Sequence, residues 1–456
     1  MAQKPSIPKG TRDFLPLDYA RKSYVLGVIR ICFERYGFLP IETPAMEKSS
    51  SLQGKYGEEG DKLMFNVLNS GEKVKKADIA ALQESKLGRF TQSISEKALR
   101  YDLTVPFARF VVQHQNELSF PFKRYQIQPV WRADRPQRGR FQEFTQCDAD
   151  VVGPLSPVLE AECIQLFDDV FDGLSLKGAT IRINHRGILA GIAQYLGEPE
   201  RIIDFTIALD KLDKIGVQGV YEELKNKGFK SDSISKLEPL LSLSGTIEDQ
   251  LDTLENVLLS QPQAQAGIAH LRKVLSFVSP LQVSKLTFDL TLARGLNYYT
   301  GIIFEVAPPE AVTMGSIGAG GRYDNLTELF GLSGMNGLGI SFGLDRICLV
   351  LEALDLFPKD LNQPLDVIVL NFGDAFIQYL LPHISKLRKA GLRVMVYPTD
   401  HKLKKQLQYA NQLNTQHVIL FGEEEQAKGV IAVKNMKLGS TKEVGLSTAN
   451  LEGLFL

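Results

Sequence analysis

The spacing of apolar residues near the N-terminus predicts a long amphipathic helix followed by an edge strand. Between Leu17 and Tyr36 apolar side chains recur every three or four residues, and Gly37 follows as a typical helix end. The next segment, 38–48, is short and apolar but contains two prolines, which cannot donate to a central strand ladder. A dimer interface and plain packing explain these two elements equally well.

The rest of the first 185 residues predicts an antiparallel sheet with one long helix. Runs of strand character, separated by polar turns, occupy 63–69, 123–131 and 141–152. A helix over 157–171 and a strand over 179–184 follow.

The pattern then becomes helical over 186–279 and returns to strands at 285–306. The two halves of this later stretch flank the turn-forming residues 294–297, so the sheet left near Asn184 resumes here. A Gly-rich turn over 315–325 and a helix starting near Gly343 complete the unit.

A second domain is predicted beyond the proline-bearing polar linker at 357–366, because strands and helices alternate there. This alternation favours a small, mostly parallel α/β domain. The resulting division of the chain is a catalytic α+β domain at 1–184 and 280–355, a mainly helical insertion at 185–279, a linker at 356–364 and an α/β domain at 365–456.

Composition limits the possible functions. A chain of 456 residues, 44% hydrophobic and 23% charged, can form two or three globular domains. Its net charge of −1 argues against general polyanion binding but allows a structured RNA read at a few places. The four cysteines form no C-x-x-C pair, and no segment has the apolar length of a membrane span or the pattern of a secretion signal. We therefore expect a cytoplasmic protein that is neither exported nor embedded in a membrane.

The segment 124–150 pairs two alternating strands around a loop that holds three arginines. Alternation puts two sets of polar side chains on common strand faces. These are Arg124, Gln126, Gln128 and Arg132 on the first strand, and Gln142, Gln146, Asp148 and Asp150 on the second. Burying such groups is costly unless a polar ligand pairs with them, although a sheet with one wet face alternates in the same way. Arginines beside Pro136 and Gly139 suit a loop that closes over an anion.

Two further segments place an arginine beside a turn or a helix start. Arg294 ends a strand and is followed by the aromatic pair Tyr298 and Tyr299, which alone could be a surface hairpin. The segment 337–346 spaces three glycines before a helix and puts Arg346 in its first turn, near free backbone amides. Such glycines permit close approach of a phosphate or a base.

The order of these segments resembles that of class II aminoacyl-tRNA synthetases. The matching elements are a helix plus a strand ending in ETP (42–44), RYDLTVPFARF (100–110), VWRADRPQRGRFQEFTQCDAD (130–150), LARGLNYYTGIIFE (292–305) and FGLDR (342–346). The middle elements resemble the histidyl-tRNA synthetase family specifically, and RGLNYYTG with QCDAD is far more specific than the class-wide arginines. The resemblance extends from about Gly10 into the C-terminal domain.

The resemblance implies a class II catalytic domain on an antiparallel sheet, followed by an anticodon-binding α/β domain. It also implies roles for four arginines. Arg132 would hold the α-phosphate of ATP and the substrate carboxylate, and Arg346 the γ-phosphate of a bent ATP. Arg140 would contact the nucleotide or the adenylate, and Arg294 would stabilise the charge that develops at the α-phosphate.

The histidine-binding residues follow from the same resemblance. Asp102 and Thr104 would bind the ammonium group. Around the ammonium and imidazole groups would lie Gln146, Asp150, Tyr298 and Tyr299, with Arg294 beside them and Tyr323 as an outer member. For each tyrosine, plain packing is the alternative.

The implied reaction has two steps. Histidine and ATP give histidyl-adenylate, which is then transferred to tRNA(His), and the enzyme acts as a homodimer. Mg²⁺ would bind the pyrophosphate oxygens, with protein ligands that the sequence does not identify. The isolated histidines, His114 and His185 among them, are expected to pack or to lie on the surface. Basic clusters at 385–393 and 401–406 could contact tRNA phosphates or form solvated helix faces.

Two positions depart from the family pattern. Asn297 stands where aspartate is usual, and Ser341 replaces a glycine of the class II motif. Two rival functions remain open at this point: a catalytically silent paralogue that senses histidine or regulates another enzyme, and a class II synthetase for another amino acid. Silent paralogues typically lack the C-terminal domain or the arginines, and this chain has both.

Overall fold

The computed structural model describes residues 4–209, 211–241, 243–293, 299–362 and 365–446. The chain forms two compact units. The first contains Met1–Phe14 and Lys22–Leu356, and the second contains Leu15–Arg21 and Phe357–Leu456.

The helices of the described residues are, in chain order, α1 (Pro16–Arg35), α2 (Ser49–Leu52), α3 (Gly57–Lys62), α4 (Ile79–Gln83), α5 (Leu87–Ile94), α6 (Thr104–Gln113), α7 (Pro157–Gly173), α8 (Arg186–Tyr195), α9 (Ile202–Leu209), α10 (Leu212–Asn226), α11 (Ser231–Ser235), α12 (Glu238–Leu241), α13 (Ile247–Val257), α14 (Pro262–Leu275), α15 (Leu344–Ala353), α16 (Asp374–Lys389), α17 (Leu403–Gln412) and α18 (Glu423–Lys428). Over the residues described, no helix is both long and apolar enough to cross a membrane.

The strands are β1 (Leu39–Pro40), β2 (Met46–Lys48), β3 (Asn66–Val67), β4 (Lys97–Leu99), β5 (Phe122–Trp131), β6 (Glu143–Gly153), β7 (Thr180–His185), β8 (Lys285–Phe288), β9 (Ile302–Ala307), β10 (Gly318–Tyr323), β11 (Asn336–Phe342), β12 (Val367–Val369), β13 (Val394–Val396), β14 (His417–Leu420), β15 (Val430–Asn435) and β16 (Thr441–Gly445).

The first unit is built on an eight-stranded sheet with the order β1-β5-β6-β11-β10-β9-β7-β8. The two outermost pairs, β1 with β5 and β7 with β8, are parallel, and the pairings between them are antiparallel. The predicted α+β class with a largely antiparallel sheet is confirmed. The proline-containing strand β1 lies at the sheet edge, as the missing proline donor requires.

The predicted pairing around the arginine loop is also observed. In the β5–β6 register Arg124 lies opposite Asp150, Gln126 opposite Asp148, and Gln128 opposite Gln146. The alternation in the sequence therefore corresponds to two polar rows that face each other on one side of the sheet.

One prediction near the middle of the sheet is wrong. The Gly-rich segment 315–325, predicted as a turn, contains the interior strand β10, paired on both sides. Its backbone lies so close to its neighbours that a Cβ on Gly320 would meet the Gly339 carbonyl oxygen at 2.4 Å. The two strands of 285–306 are not paired with each other, because β8 and β9 lie on opposite sides of β7. The sheet does resume there after Asn184, as predicted.

Helices α8 to α14 lie between β7 and β8 in the chain. Close packing of α8 on α14 depends on small residues, since a Cβ added to Gly191 would lie 2.4 Å from the Ala264 Cβ. The edges of the helical insertion, like the other domain boundaries, stay a prediction.

The second unit contains a five-stranded sheet with the order β13-β12-β14-β15-β16. Only the pairs of β12 with β13 and β14 are parallel, whereas β14–β15 and β15–β16 are antiparallel. The prediction of a mostly parallel sheet is therefore wrong. Helix α18 and strand β16 were not predicted, because 423–428 has Ala427 as its one apolar residue and 441–445 lacks an apolar run.

Candidate active site

A cavity of about 430 Å³ opens beside the polar rows of the eight-stranded sheet. It lies between the loop that follows β5, the strands β6, β10 and β11, and the N-terminus of α15. Side chains that line it include Arg132, Asp134, Arg140, Gln146, Tyr299 and Arg346. Three of the four arginines implied for phosphate contacts are thus brought together.

Arg132 is held by the segment that precedes α6. Its Nε donates to the Tyr101 carbonyl oxygen at 3.0 Å, and its guanidinium carbon lies 4.3 Å from the centre of the Tyr101 ring. This arrangement fixes the plane of the guanidinium group, which suits forked hydrogen bonds to an anion.

Arg140 is oriented by an acidic partner in its own loop. Its Nε and Nη2 each donate to a carboxylate oxygen of Asp134 at 3.0 Å. Sequence reasoning missed Asp134. The signal was its spacing of six residues before Arg140, across a loop whose Gln137 and Arg140 form an isolated β-bridge.

Arg346 lies in the first turn of α15 and reaches back to two backbone carbonyls. Its Nε donates to Gly139 O at 3.1 Å and its Nη1 to Ser316 O at 2.8 Å. Burial lowers the pKa of Arg346, and the nearby Arg140 and Arg132 act in the same direction. Three mutually repelling cations on one cavity make it a preorganised site for a polyanion.

The N-terminal segment supports the arginine loop. Gln142 donates its backbone N–H to the Gly10 carbonyl oxygen at 2.8 Å. Arg12 forms an ion pair with Asp345 on α15, and its guanidinium carbon lies 3.3 Å from the centre of the Phe141 ring. Sequence reasoning missed this contact, because nothing local links residue 12 to residue 345.

A smaller pocket of about 40 Å³ adjoins the cavity, with which it shares Gln146, Tyr299 and Ser341. The residues that line only the smaller pocket include Asp102, Thr104, Asp148, Asp150 and Tyr323. Six residues implied for histidine recognition therefore surround one pocket: Asp102, Thr104, Gln146, Asp150, Tyr299 and Tyr323.

Each of the three carboxylates in this pocket has a protein partner, which for Asp148 is a hydrogen bond with the Ser341 side chain. Asp102 Oδ1 accepts from the Tyr56 hydroxyl at 2.9 Å and from the Val105 backbone at 3.2 Å. Asp150 Oδ1 accepts from the Tyr323 hydroxyl at 2.7 Å, and its Oδ2 lies 2.9 Å from Arg124 Nη2. Burial raises the pKa of Asp150, while Arg124 opposes that shift.

Glycines make room for the pocket side chains. A Cβ on Gly339 would lie 2.0 Å from Asp150 Oδ1, and one on Gly337 would lie 1.9 Å from the Tyr323 ring. The glycines of 337–343 were interpreted as space for a phosphate or a base, but these two make space for a carboxylate and a tyrosine.

Comparison with known proteins agrees with this geometry. The family model described as Histidyl-tRNA synthetase matches residues 72–347, and the model described as Anticodon binding domain matches 366–453. The chain is 53% identical over 454 residues to the histidine–tRNA ligase of Christiangramia forsetii, covering 98% of this chain and all of that protein. The chain belongs to the histidyl-tRNA synthetase family.

Two further comparisons extend over the full length. The histidine–tRNA ligase of Flavobacterium johnsoniae is 51% identical, with 97% of this chain and 98% of that protein covered. The crystal structure of histidyl-tRNA synthetase from Nostoc sp. PCC 7120 superposes with a TM-score of 0.83 at 31% identity, covering 100% of this chain and 99% of that one.

Three residues singled out in the sequence, Arg294, Asn297 and Tyr298, lie outside the described residues. The isolated histidines His185 and His114 were expected to pack or to lie on the surface. His185 is largely buried. Its pKa is lowered to about 4, mainly by burial and to a smaller extent by the nearby His270. His114 contacts Glu117 at 3.2 Å, away from the site.

The family resemblance also implies Mg²⁺ on the pyrophosphate oxygens. Among the described residues, no group of three or more His, Cys, Asp or Glu side chains could hold a metal ion. Two carboxylates line the larger cavity, Asp134 and Asp345, and each is paired with an arginine. These residues fit a metal bound mainly by phosphate oxygens better than one held by a protein cage.

Arg124 is the main site residue that sequence reasoning missed. It is fully buried, forms the ion pair with Asp150, and its guanidinium carbon lies 4.2 Å from the centre of the Phe107 ring. The alternation had placed Arg124 on the polar face, and the β5–β6 register was the missing information.

Proposed function

We propose that this chain is a histidine–tRNA ligase: it activates histidine with ATP to histidyl-adenylate and transfers the histidyl group to tRNA(His), releasing AMP and pyrophosphate. The observation that carries the proposal is the junction of two unlike cavities. One is lined by three arginines and the other by three buried aspartates, and Gln146 and Tyr299 border both.

The larger cavity would bind ATP. Arg132 would hold the α-phosphate and the substrate carboxylate, Arg346 the γ-phosphate, and Arg140 the nucleotide or the adenylate. Since these guanidinium groups are already oriented by Tyr101, Asp134 and backbone carbonyls, little reorganisation is needed when phosphates enter.

The smaller pocket would bind the amino acid. Asp102 and Thr104 would bind the ammonium group, and Gln146, Asp150, Tyr298, Tyr299 and Tyr323 would surround it and the imidazole ring. One acceptor without a hydrogen-bond partner is informative. Gln146 Oε1 is buried and accepts no hydrogen bond from the described residues, so it can accept one from a bound ligand.

The chemistry needs no side-chain nucleophile. The histidine carboxylate attacks the α-phosphorus and pyrophosphate leaves, and a ribose hydroxyl of tRNA then attacks the adenylate carbonyl with release of AMP. Arg132 and Arg294 would stabilise the charge that develops at the α-phosphate. Mg²⁺, when bound on the phosphates, would neutralise part of the pyrophosphate charge.

The partners follow from the same proposal. The 365–456 domain would bind the anticodon of tRNA(His), with Lys402 and Lys404 as exposed candidates for phosphate contacts. A homodimer in the cytoplasm is the proposed assembly. Two exposed apolar side chains, Ile31 on α1 and Leu39 on the edge strand β1, support a subunit contact through these elements.

The deciding experiment is ATP–pyrophosphate exchange with each of the twenty amino acids. We expect exchange with histidine alone. Exchange with a different amino acid would contradict histidine specificity, and folded protein that exchanges with none would favour a catalytically silent, regulatory paralogue. Charging of tRNA(His) transcript then tests the second step.

A further inference from the structure

The smaller pocket contains a third carboxylate, Asp148, for which the proposed function has no role. Asp148 is 2% exposed and lines the pocket next to Asp150. Its Oδ1 is buried and accepts no hydrogen bond from any described residue. A buried carboxylate oxygen without a donor is costly, so this atom is suited to accept from a ligand.

Charged and polar groups face Asp148 from each element around it. Arg124 and Gln126 face it from β5, Asp150 from its own strand β6, Ser341 from β11, and Asp102 from the segment before α6. Tyr299 and Tyr323 complete the pocket. Two other guanidinium groups lie nearby. Arg132 lines the nucleotide cavity, and Arg186 interacts electrostatically with Tyr299.

Among the described residues, pairing these charges leaves one carboxylate over. Arg124 is paired with Asp150, and the ammonium group of the amino acid is assigned to Asp102. Asp148 therefore needs a further positive charge or a proton of its own when the pocket is closed.

We propose that Asp148 is a specificity residue that binds the side chain of histidine as a doubly protonated imidazolium ring, with Asp148 and Asp150 each accepting one ring N–H. This inference rests on the proposed function, because it takes histidine as the amino acid in the pocket. Imidazolium has two N–H donors, whereas neutral imidazole has one.

The proton balance follows from the state of the empty pocket. Burial raises the pKa of Asp148 to about 7, with Arg124 opposing the shift and Asp150 adding to it. Free histidine has an imidazole pKa of about 6.5. Above pH 7 Asp148 and the free imidazole are therefore both mainly deprotonated, and forming the complex takes up one proton from solvent.

The first test counts that proton by calorimetry. Histidine binding to the full chain is measured at about pH 8 in buffers with different heats of ionisation, and we expect uptake of about half a proton or more. Asp148→Asn should reduce the uptake to near zero. The matched control is Asp168→Asn, an equally buried carboxylate outside both cavities that accepts from backbone N–H groups at 282–284. It should leave the uptake unchanged.

The second test uses 1,2,4-triazolylalanine, whose ring has nearly the shape of imidazole but is a much weaker base. Wild-type protein should prefer histidine in kcat/KM for pyrophosphate exchange, and Asp148→Asn should reduce this preference by about ten- to hundredfold. A preference that changes less than about twofold, in a folded variant, would overturn the inference.

The outcomes separate the two proposals. Exchange with histidine but no proton uptake by the wild type would overturn the role of Asp148 and leave the proposed function intact. Histidine binding with proton uptake but without exchange would support the role of Asp148 and overturn the proposed function. Absence of histidine binding would overturn both. If Asp148→Asn does not fold, the wild-type proton count decides alone.

Discussion

At the scale of single residues, the site depends on cations and carboxylates whose partners lie far away in sequence. Arg124 and Asp150 are paired across two strands, and Arg346 reaches carbonyls of residues 139 and 316. Such contacts hold each charged group in one orientation before a ligand arrives. Preorganisation of this kind is where enzymes obtain much of their electrostatic stabilisation.

The role proposed for Arg294 gives a first prediction. Arg294→Ala should slow adenylate formation by about a hundredfold or more, because one preorganised cation at the α-phosphate is lost. Single-turnover measurement of adenylate formation checks this. Arg89→Ala removes an exposed arginine from the same chain as a control. A rate for Arg294→Ala within about threefold of wild type would exclude this arginine from the chemistry.

The titration of His185 gives a second prediction. Its Nδ1 accepts a hydrogen bond from the Gly187 backbone N–H at 3.0 Å, which only the unprotonated nitrogen can do. Burial and His270 lower the folded-state pKa to about 4, below the unfolded value of about 6.5. The contribution to stability is therefore present above pH 6.5 and is lost as pH falls from there toward 4, by up to about 3 kcal/mol.

The measurement is the urea midpoint as a function of pH. His185→Gln can keep the acceptor for Gly187 but does not titrate, so its midpoint should fall less steeply than that of the wild type between pH 6.5 and 4. His114→Gln, at a partly exposed histidine, should follow the wild type. Equal slopes for all three proteins would show that His185 is not the titrating group.

At the scale of elements, the strands of the site differ in how well the sequence predicts them. Strands β5 and β6 alternate polar and apolar residues, so their existence and polar faces were predictable. Strand β10 was not predictable, because Gly318, Gly320 and Gly321 remove the alternation and have low strand propensity. The same holds for pairing partners: local pattern does not show that β7 separates β8 from β9.

The tight packing of β11 gives a third prediction. Gly339→Ala would place a methyl group 2.0 Å from Asp150 Oδ1, so the carboxylate must shift from its position in the pocket. We expect kcat/KM for histidine in pyrophosphate exchange to fall by about ten- to hundredfold, with a smaller effect on the KM for ATP. Gly88→Ala is the control, since a Cβ there meets no atom within 4 Å. Equal losses for both substrates would point to general disruption instead.

At the scale of the whole molecule, the two compact units divide the residues of the proposed reaction. Every described residue that lines the two cavities lies between positions 102 and 346, in the first unit. The second unit has its own sheet and its own cores, around Val369, Ile384 and Phe421 on one face and Leu370, Ala410 and Val418 on the other. A second domain was predicted from the change of pattern beyond the polar linker, but the amino-acid pocket became recognisable only through the family resemblance, since its residues come from five separate segments.

This division predicts that amino-acid activation and tRNA charging can be separated. A chain ending at Leu356 should keep histidine-dependent pyrophosphate exchange, because it retains every described residue that lines either cavity. Its rate of charging tRNA(His) should fall by about a hundredfold or more, since several phosphate contacts contribute to RNA affinity. Circular dichroism establishes that the shortened chain is folded. If the folded chain no longer exchanges, activation requires the second unit; if it charges tRNA normally, the 365–456 domain does not provide the anticodon contacts.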